Sequence, residues 1–155
     1  SLAWSSDSEE GSVPLPIHRS DRQGISILRP EGSLNEGTST ELQDAVGEVT
    51  ESDGAMVVID LSDTNAASSH AFRVLLRVSK RLKSSGGRLV VCGARGAVQS
   101  ALELSGLARL CCVRRTTDEA LAELMVEERI VRLARLVGDL LRRAEERHLK
   151  SVGAA

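Results

Sequence analysis

Ala55-Met-Val-Val-Ile-Asp-Leu61 is a continuous apolar run of strand length, and its reading decides the fold. No polar residue alternates through it, so such a strand needs cover on both faces, as the middle of a sheet layered with helices provides. Beyond it, a helix from about Ser69 places Phe72, Leu75, Leu76 and Leu82 on one stripe and leaves Arg73, Arg77, Lys80 and Arg81 mostly outside. Gly86-Gly87 ends that helix. Arg88-Leu-Val-Val-Cys92 reads as the next buried strand, Gly96 to Ser105 as a short helix closed by Gly106, and Leu110-Cys-Cys-Val113 as a last short strand. Thr116-Thr-Asp-Glu119 then has the capping-box spacing that opens a terminal helix.

Before the central run, Thr38-Ser-Thr-Glu41 carries the same spacing and predicts a helix with Leu42, Ala45, Val46 and Val49 on its apolar face, stopped at Ser52-Asp-Gly54. Val13-Pro-Leu-Pro-Ile17 fits only an edge strand or an extended arm, because two prolines remove ladder donors. Ser20-Asp-Arg-Gln-Gly24 reads as a turn, and Ile25-Ser-Ile-Leu-Arg29, continuing toward Gly32-Ser-Leu34, pairs back antiparallel. Strands alternating with helices require parallel crossovers, nearly always right-handed. The expected class is therefore α/β: a mixed four- to five-stranded sheet with helices, an antiparallel opening strand pair and an extended C-terminal helix. Residues 1–12, rich in Ser, Asp and Glu, read as a disordered tail or linker, 13–125 as the folded domain and 126–155 as a helical extension.

The 155 residues suit one core, 41% hydrophobic but 1% aromatic, so Leu, Val, Ile and Ala must build it around Phe72, with Trp4 left in the polar tail. Twenty basic against 22 acidic residues give a net charge of -2 and no pull toward nucleic acid, and the absence of Tyr removes a stacking platform. No apolar run approaches the roughly 20 residues that span a bilayer, and nothing near the start resembles a signal peptide, so a cytoplasmic protein without membrane insertion is expected. The chain opens on Ser1 rather than Met, which reads as a trimmed or excised piece.

Candidate chemistry is sparse. Cys92, Cys111 and Cys112 sit in apolar strand-like runs without zinc-ligand spacing and read as reduced core thiols. His70 has only His18 and His148 as fellow histidines, in unrelated segments, so it reads as an exposed contact residue rather than a metal ligand or nucleophile. Gly93-Ala-Arg-Gly96 reads as a strand-to-helix turn rather than a phosphate cradle. Asp60 and Asp63 read as solvated strand-end and loop acids. No catalytic residue, metal site or cofactor is expected, and the chain reads as a non-enzyme.

In order along the chain, Leu28 through Gly32-Ser-Leu34, Val57-Val-Ile-Asp-Leu-Ser62, Gly86-Gly-Arg-Leu-Val90, Leu104-Ser-Gly-Leu-Ala-Arg-Leu110 and Thr117-Asp-Glu-Ala-Leu121 resemble the STAS family, the sulfate-transporter and anti-sigma-factor-antagonist domain. The resemblance implies a bacterial regulator of the anti-sigma factor antagonist class. Such a protein works by partner switching, docking an anti-sigma factor or related protein kinase and so releasing a transcription factor. It places the contact surface on the loop and helix start from Ser62 to Arg73, flanked by Ser33 to Thr38, with Asn35, Ser68, Ser69, His70 and Arg73 as partner-binding residues. In those members the loop reads Asp-Ser-Ser-Gly and its second Ser, or a Thr there, accepts phosphate. Here the same stretch is Ser68-Ser-His-Ala71, so the acceptor site is degenerate, and a further acid of the family is Asn35. Ser69 and Ser68 keep hydroxyls that could take phosphate in a shifted register, or one of them caps the helix. Related domains also serve as accessory subunits of lipid-transport complexes or as signalling scaffolds, and a nucleotide-binding domain is the remaining alternative.

The last helix stands apart. Ile130, Leu133, Val137, Leu140 and Ala144 follow a 3-4-3-4 spacing, which must fold back over the sheet, pair with a second copy in a homodimer, or dock a partner.

Overall fold

The computed structural model describes residues 15–51 and 53–153. The tail expected over 1–12, with Trp4, lies outside the described residues. Two compact units divide the chain, Ser1–Leu121 and Ala122–Ala155. The first contains β1 (Ile17–Arg22), β2 (Ile25–Pro30), β3 (Gly32–Leu34), α1 (Glu36–Val49), β4 (Met56–Asp60), β5 (Thr64–Ala67), α2 (Ser69–Ser84), β6 (Arg88–Cys92), α3 (Gly96–Ser105), α4 (Leu107–Leu110) and β7 (Cys112–Arg114). Helix α5 (Thr117–Gly153) begins in it and supplies most of the second unit.

A five-stranded sheet runs in the order β1-β2-β4-β6-β7. Only β1 and β2 are antiparallel, and every other neighbouring pair is parallel. The Met56–Asp60 strand is its middle member and is buried throughout, as its unbroken apolar run demands. Val57 and Ile59 of β4, Leu89 and Val91 of β6 and Leu28 of β2 join Leu42, Val46, Phe72, Leu75 and Leu82 of α1 and α2 in one core. Side chains alternate along a strand, so Ile25, Ile27, Met56, Val58 and Val90 take the other face, where they are also buried.

Several local expectations shift, each for a physical reason. The polar residues Ser20, Asp21 and Arg22 continue β1 instead of turning, because an exposed edge strand needs its ladder and not an apolar face; the turn is Gln23-Gly24 alone, with φ of 54° and 84°. Both positive angles suit a two-residue hairpin. Of the Val13–Ile17 run, Leu15 is buried and the strand starts only at Ile17. Helix α1 begins two residues before Thr38: Asn35 Oδ1 accepts from the amides of Gly37 and Thr38, both at 3.0 Å, and Thr38 Oγ1 accepts from the Asn35 amide at 2.8 Å. Thr38 is thus the reciprocating residue of a capping box and not its cap. Gly106, at φ 75°, ends α3 and starts the single turn α4, so β7 starts two residues later than the expected 110–113.

One correction concerns a side chain. Asp60 is buried, not solvated: its carboxylate accepts from the Ser62 amide at 3.0 Å and from Thr117 Oγ1 at 3.2 Å. Asp63 is half exposed and meets Arg29 at 2.9 Å. The three cysteines are free thiols, Cys92 buried and Cys111 and Cys112 half-buried. Burial pushes the Cys92 and Cys111 thiols up from an ordinary 9.0 to about 11, so both stay protonated near neutrality.

Candidate partner-binding site

A strand that sequence patterning does not show builds the site. Thr64-Asn-Ala-Ala67 lacks β-branched density, yet it pairs in parallel with Gly32–Leu34 as a separate two-stranded ribbon, Leu34 against Ala67. The ribbon is anchored by the buried Thr64, whose hydroxyl donates to the Pro30 carbonyl at 3.1 Å, and is tied across by Ser33 Oγ donating to Asn65 Oδ1 at 3.0 Å. At its end the Ser68 amide donates to the Leu34 carbonyl at 2.8 Å. Two helix starts, capped by Asn35 and Ser68, are therefore held side by side.

The arrangement brings together what the sequence lists apart. Ser68 Oγ accepts from the Ala71 amide at 3.3 Å, so Ser68 is the serine that caps α2. Ser69 is exposed, and its hydroxyl makes no hydrogen bond among the described residues. His70 is half-buried in the first turn of α2, which corrects its reading as an exposed residue: it lies two past the Ser68 cap and directly precedes the buried Ala71 and Phe72. Arg73, four residues after Ser69, is exposed on the same face. Asn35 is exposed and holds its cap with a neutral amide where an acid would place charge. Paired helix starts present partial positive charge, which Glu36 opposes in the first turn of α1 and no acid opposes in the first turn of α2.

One part of this surface is absent from the sequence reading. Ser69, Phe72, Arg73 and Leu76 of α2 line a groove of about 210 Å³ with Ser105 and Leu107 at the α3–α4 corner. Leu104, beside that corner, is 90% exposed. The signal was there: Val98 and Leu102 form the buried stripe of α3, and Leu104 is an apolar residue off that stripe. Along α2, Arg73, Arg77, Lys80, Arg81 and Lys83 have no ion-pair partner among the described residues, so this face is apolar at one end and cationic along its length.

The larger cavity, about 400 Å³, opens elsewhere, between the β1–β2 hairpin and the start of α5, with His18, Arg22, Arg29, Asp60 and Asp118 in its lining. Its charges are largely matched, Arg29 by Asp63 at 2.9 Å, His18 by Glu31 at 2.8 Å and Arg22 by Asp118 at 3.8 Å. No group of three or more metal-ligating side chains exists among the described residues. No helix among them is long and apolar enough to cross a membrane.

Comparison with known proteins agrees with this geometry. BtrV of Bordetella bronchiseptica, a protein named as an anti-sigma factor antagonist, is 28% identical over 99 residues, which are 64% of this chain and 85% of that one. The crystal structure of an anti-sigma factor antagonist from Mycobacterium paratuberculosis superposes with a TM-score of 0.65 at 27% identity, covering 72% of this chain and 94% of the other. The fold also recurs at 15% identity in the murine anion transporter Slc26a9, with a TM-score of 0.59 over 69% of this chain and 18% of that one, so fold alone does not assign a role. The family model of the STAS domain matches residues 17–120, two thirds of the chain, and with the sheet order and the ribbon above, the chain belongs to the STAS domain family.

Proposed function

We propose that the chain is a non-enzymatic, cytoplasmic, bacterial regulator of the anti-sigma factor antagonist class, which switches partners by docking an anti-sigma factor or related protein kinase on the face formed by Asn35, Ser68, Ser69, His70 and Arg73. In this reading 13–125 is the regulatory domain and 126–155 an extension. The observation that carries it is the joining of the two loops: the Ser68 amide to Leu34 carbonyl bond holds both helix starts, the groove and Arg73 on one surface. Further support comes from the names of two relatives above 25% identity.

The acceptor position is degenerate in this reading. His70 offers no hydroxyl, Ser68 is committed to its cap, and of the Ser68–Ala71 stretch that leaves the exposed Ser69 hydroxyl open to a kinase. A phosphoryl transfer arranged for an oxygen nucleophile needs that oxygen in line, which an imidazole at the same position does not supply. The regulator then binds constitutively or is controlled elsewhere.

Calorimetric titration of the chain into the purified anti-sigma factors of its own genome tests this. Saturable one-to-one binding to one of them, with nucleotide and phosphoester hydrolysis at background, is the expected result. Heat from none of them, or turnover abolished by a substitution between Ser62 and Arg73, would refute it.

A further inference from the structure

Helix α5 runs for 37 residues, about 55 Å at 1.5 Å per residue. Val126, Ile130, Leu133, Val137 and Leu140 are 51–60% exposed along it, and every described residue from Arg132 onward is exposed. Two ion pairs of this unit, Glu128 with Arg132 and Asp139 with Arg142, lie off that stripe. In heptad terms Ile130, Val137 and Ala144 occupy a, Val126, Leu133 and Leu140 occupy d, and no charged residue interrupts the seam over these 19 positions.

We propose that α5 forms a parallel two-stranded coiled coil with a second copy of this chain through Val126, Ile130, Leu133, Val137, Leu140 and Ala144. Residues at a are β-branched or small and d is Leu-rich, the combination that favours two parallel strands. Flanking residues choose the direction. Parallel pairing sets Arg129 beside Ala134, Leu136 beside Leu141 and Arg143 beside His148 of the second copy, with no acid–acid contact and an apolar flank to the seam. Antiparallel pairing in the register that sets Leu133 against Val137 brings Arg129 against Arg143 twice, with no carboxylate between them. Like charges at such flanking positions oppose that arrangement. The consequence is a bivalent regulator, two docking faces on one assembly, which raises avidity for a partner that is itself multimeric.

Light scattering of the full chain should give twice 16.6 kDa at tens of micromolar. Leu133→Asp with Leu140→Asp should raise the dimer dissociation constant at least about a hundredfold, because two charges enter the dry seam of each copy. Retention of the far-ultraviolet signal of the α/β unit checks that the variant is folded, and dilution of the wild type gives the same constant without any substitution. Ala144→Cys should cross-link to itself on mild oxidation, well above the wild type, because parallel pairing places the two copies of residue 144 together. A wild-type monomer, a trimer or larger species, or cross-linking of Ala144→Cys only with Val126→Cys would overturn the proposal.

Discussion

A Cβ placed on Gly93 would stand 2.4 Å from Asp60 Oδ1 and 3.0 Å from the Ser62 amide, at a φ of 77° that an L side chain resists. Asp60 cannot yield, because its carboxylate holds Ser62 and Thr117. Gly93→Ala is expected to cost about 2–3 kcal/mol, read by denaturant unfolding. The buried thiols give a pH effect with a definite sign. A folded pKa raised from 9.0 to about 11 keeps Cys92 neutral below pH 9, so at pH 8 the native thiolate is about a hundredfold scarcer than in the unfolded chain. Alkylation of native Cys92 at pH 8 should be slower by at least that factor, and stability should fall as pH rises from 9 toward 11. At the loop, His70→Ser restores a hydroxyl but not the acids around it. Weak phosphorylation by the partner kinase is expected from that change alone, and strong phosphorylation when Ser68→Asp and Asn35→Asp are added, since Asp can cap both helices as well. Mass spectrometry that preserves phosphohistidine reads the outcome; stoichiometric phosphate on wild-type His70 would contradict the account.

Among the elements, those with a periodic apolar pattern were legible: β4 and β6 from unbroken runs, α2 from its stripe, α3 from Gly106 at its end. β5 was not, because Thr64-Asn-Ala-Ala67 owes its pairing to Gly32–Leu34 and to the buried Thr64 rather than to its own propensity. The start of α1 was misplaced because two capping patterns overlap, and Asn35 with Thr38 beats Thr38 with Glu41 once the Glu41 carboxylate takes the Leu15 amide instead. The loop residues of the site were legible only through family resemblance, and the groove was not, since Leu107 and Phe72 meet only after folding. Two leucines separate packing from docking. Leu75→Ala, in the core, should cost about 2–5 kcal/mol, while Leu104→Asp, 90% exposed, should change stability by less than about 0.5 kcal/mol by the same unfolding measurement.

For the molecule as a whole, a chain of net charge -2 carries beside an apolar groove a cationic face on α2 that has no ion-pair partner among the described residues. That contrast favours a partner segment that is acidic with one apolar anchor, since charge complementarity sets encounter and a filled pocket sets residence. The measurement that decides is the affinity of the wild type, Arg73→Glu and Leu104→Asp for the same purified anti-sigma factor, taken by calorimetry at physiological salt with melting temperatures recorded alongside. Each substitution is expected to weaken binding at least about tenfold at unchanged melting temperature, with the Arg73→Glu loss shrinking as salt is raised. Wild-type affinity in both variants would contradict the assignment of this face as the partner-docking surface.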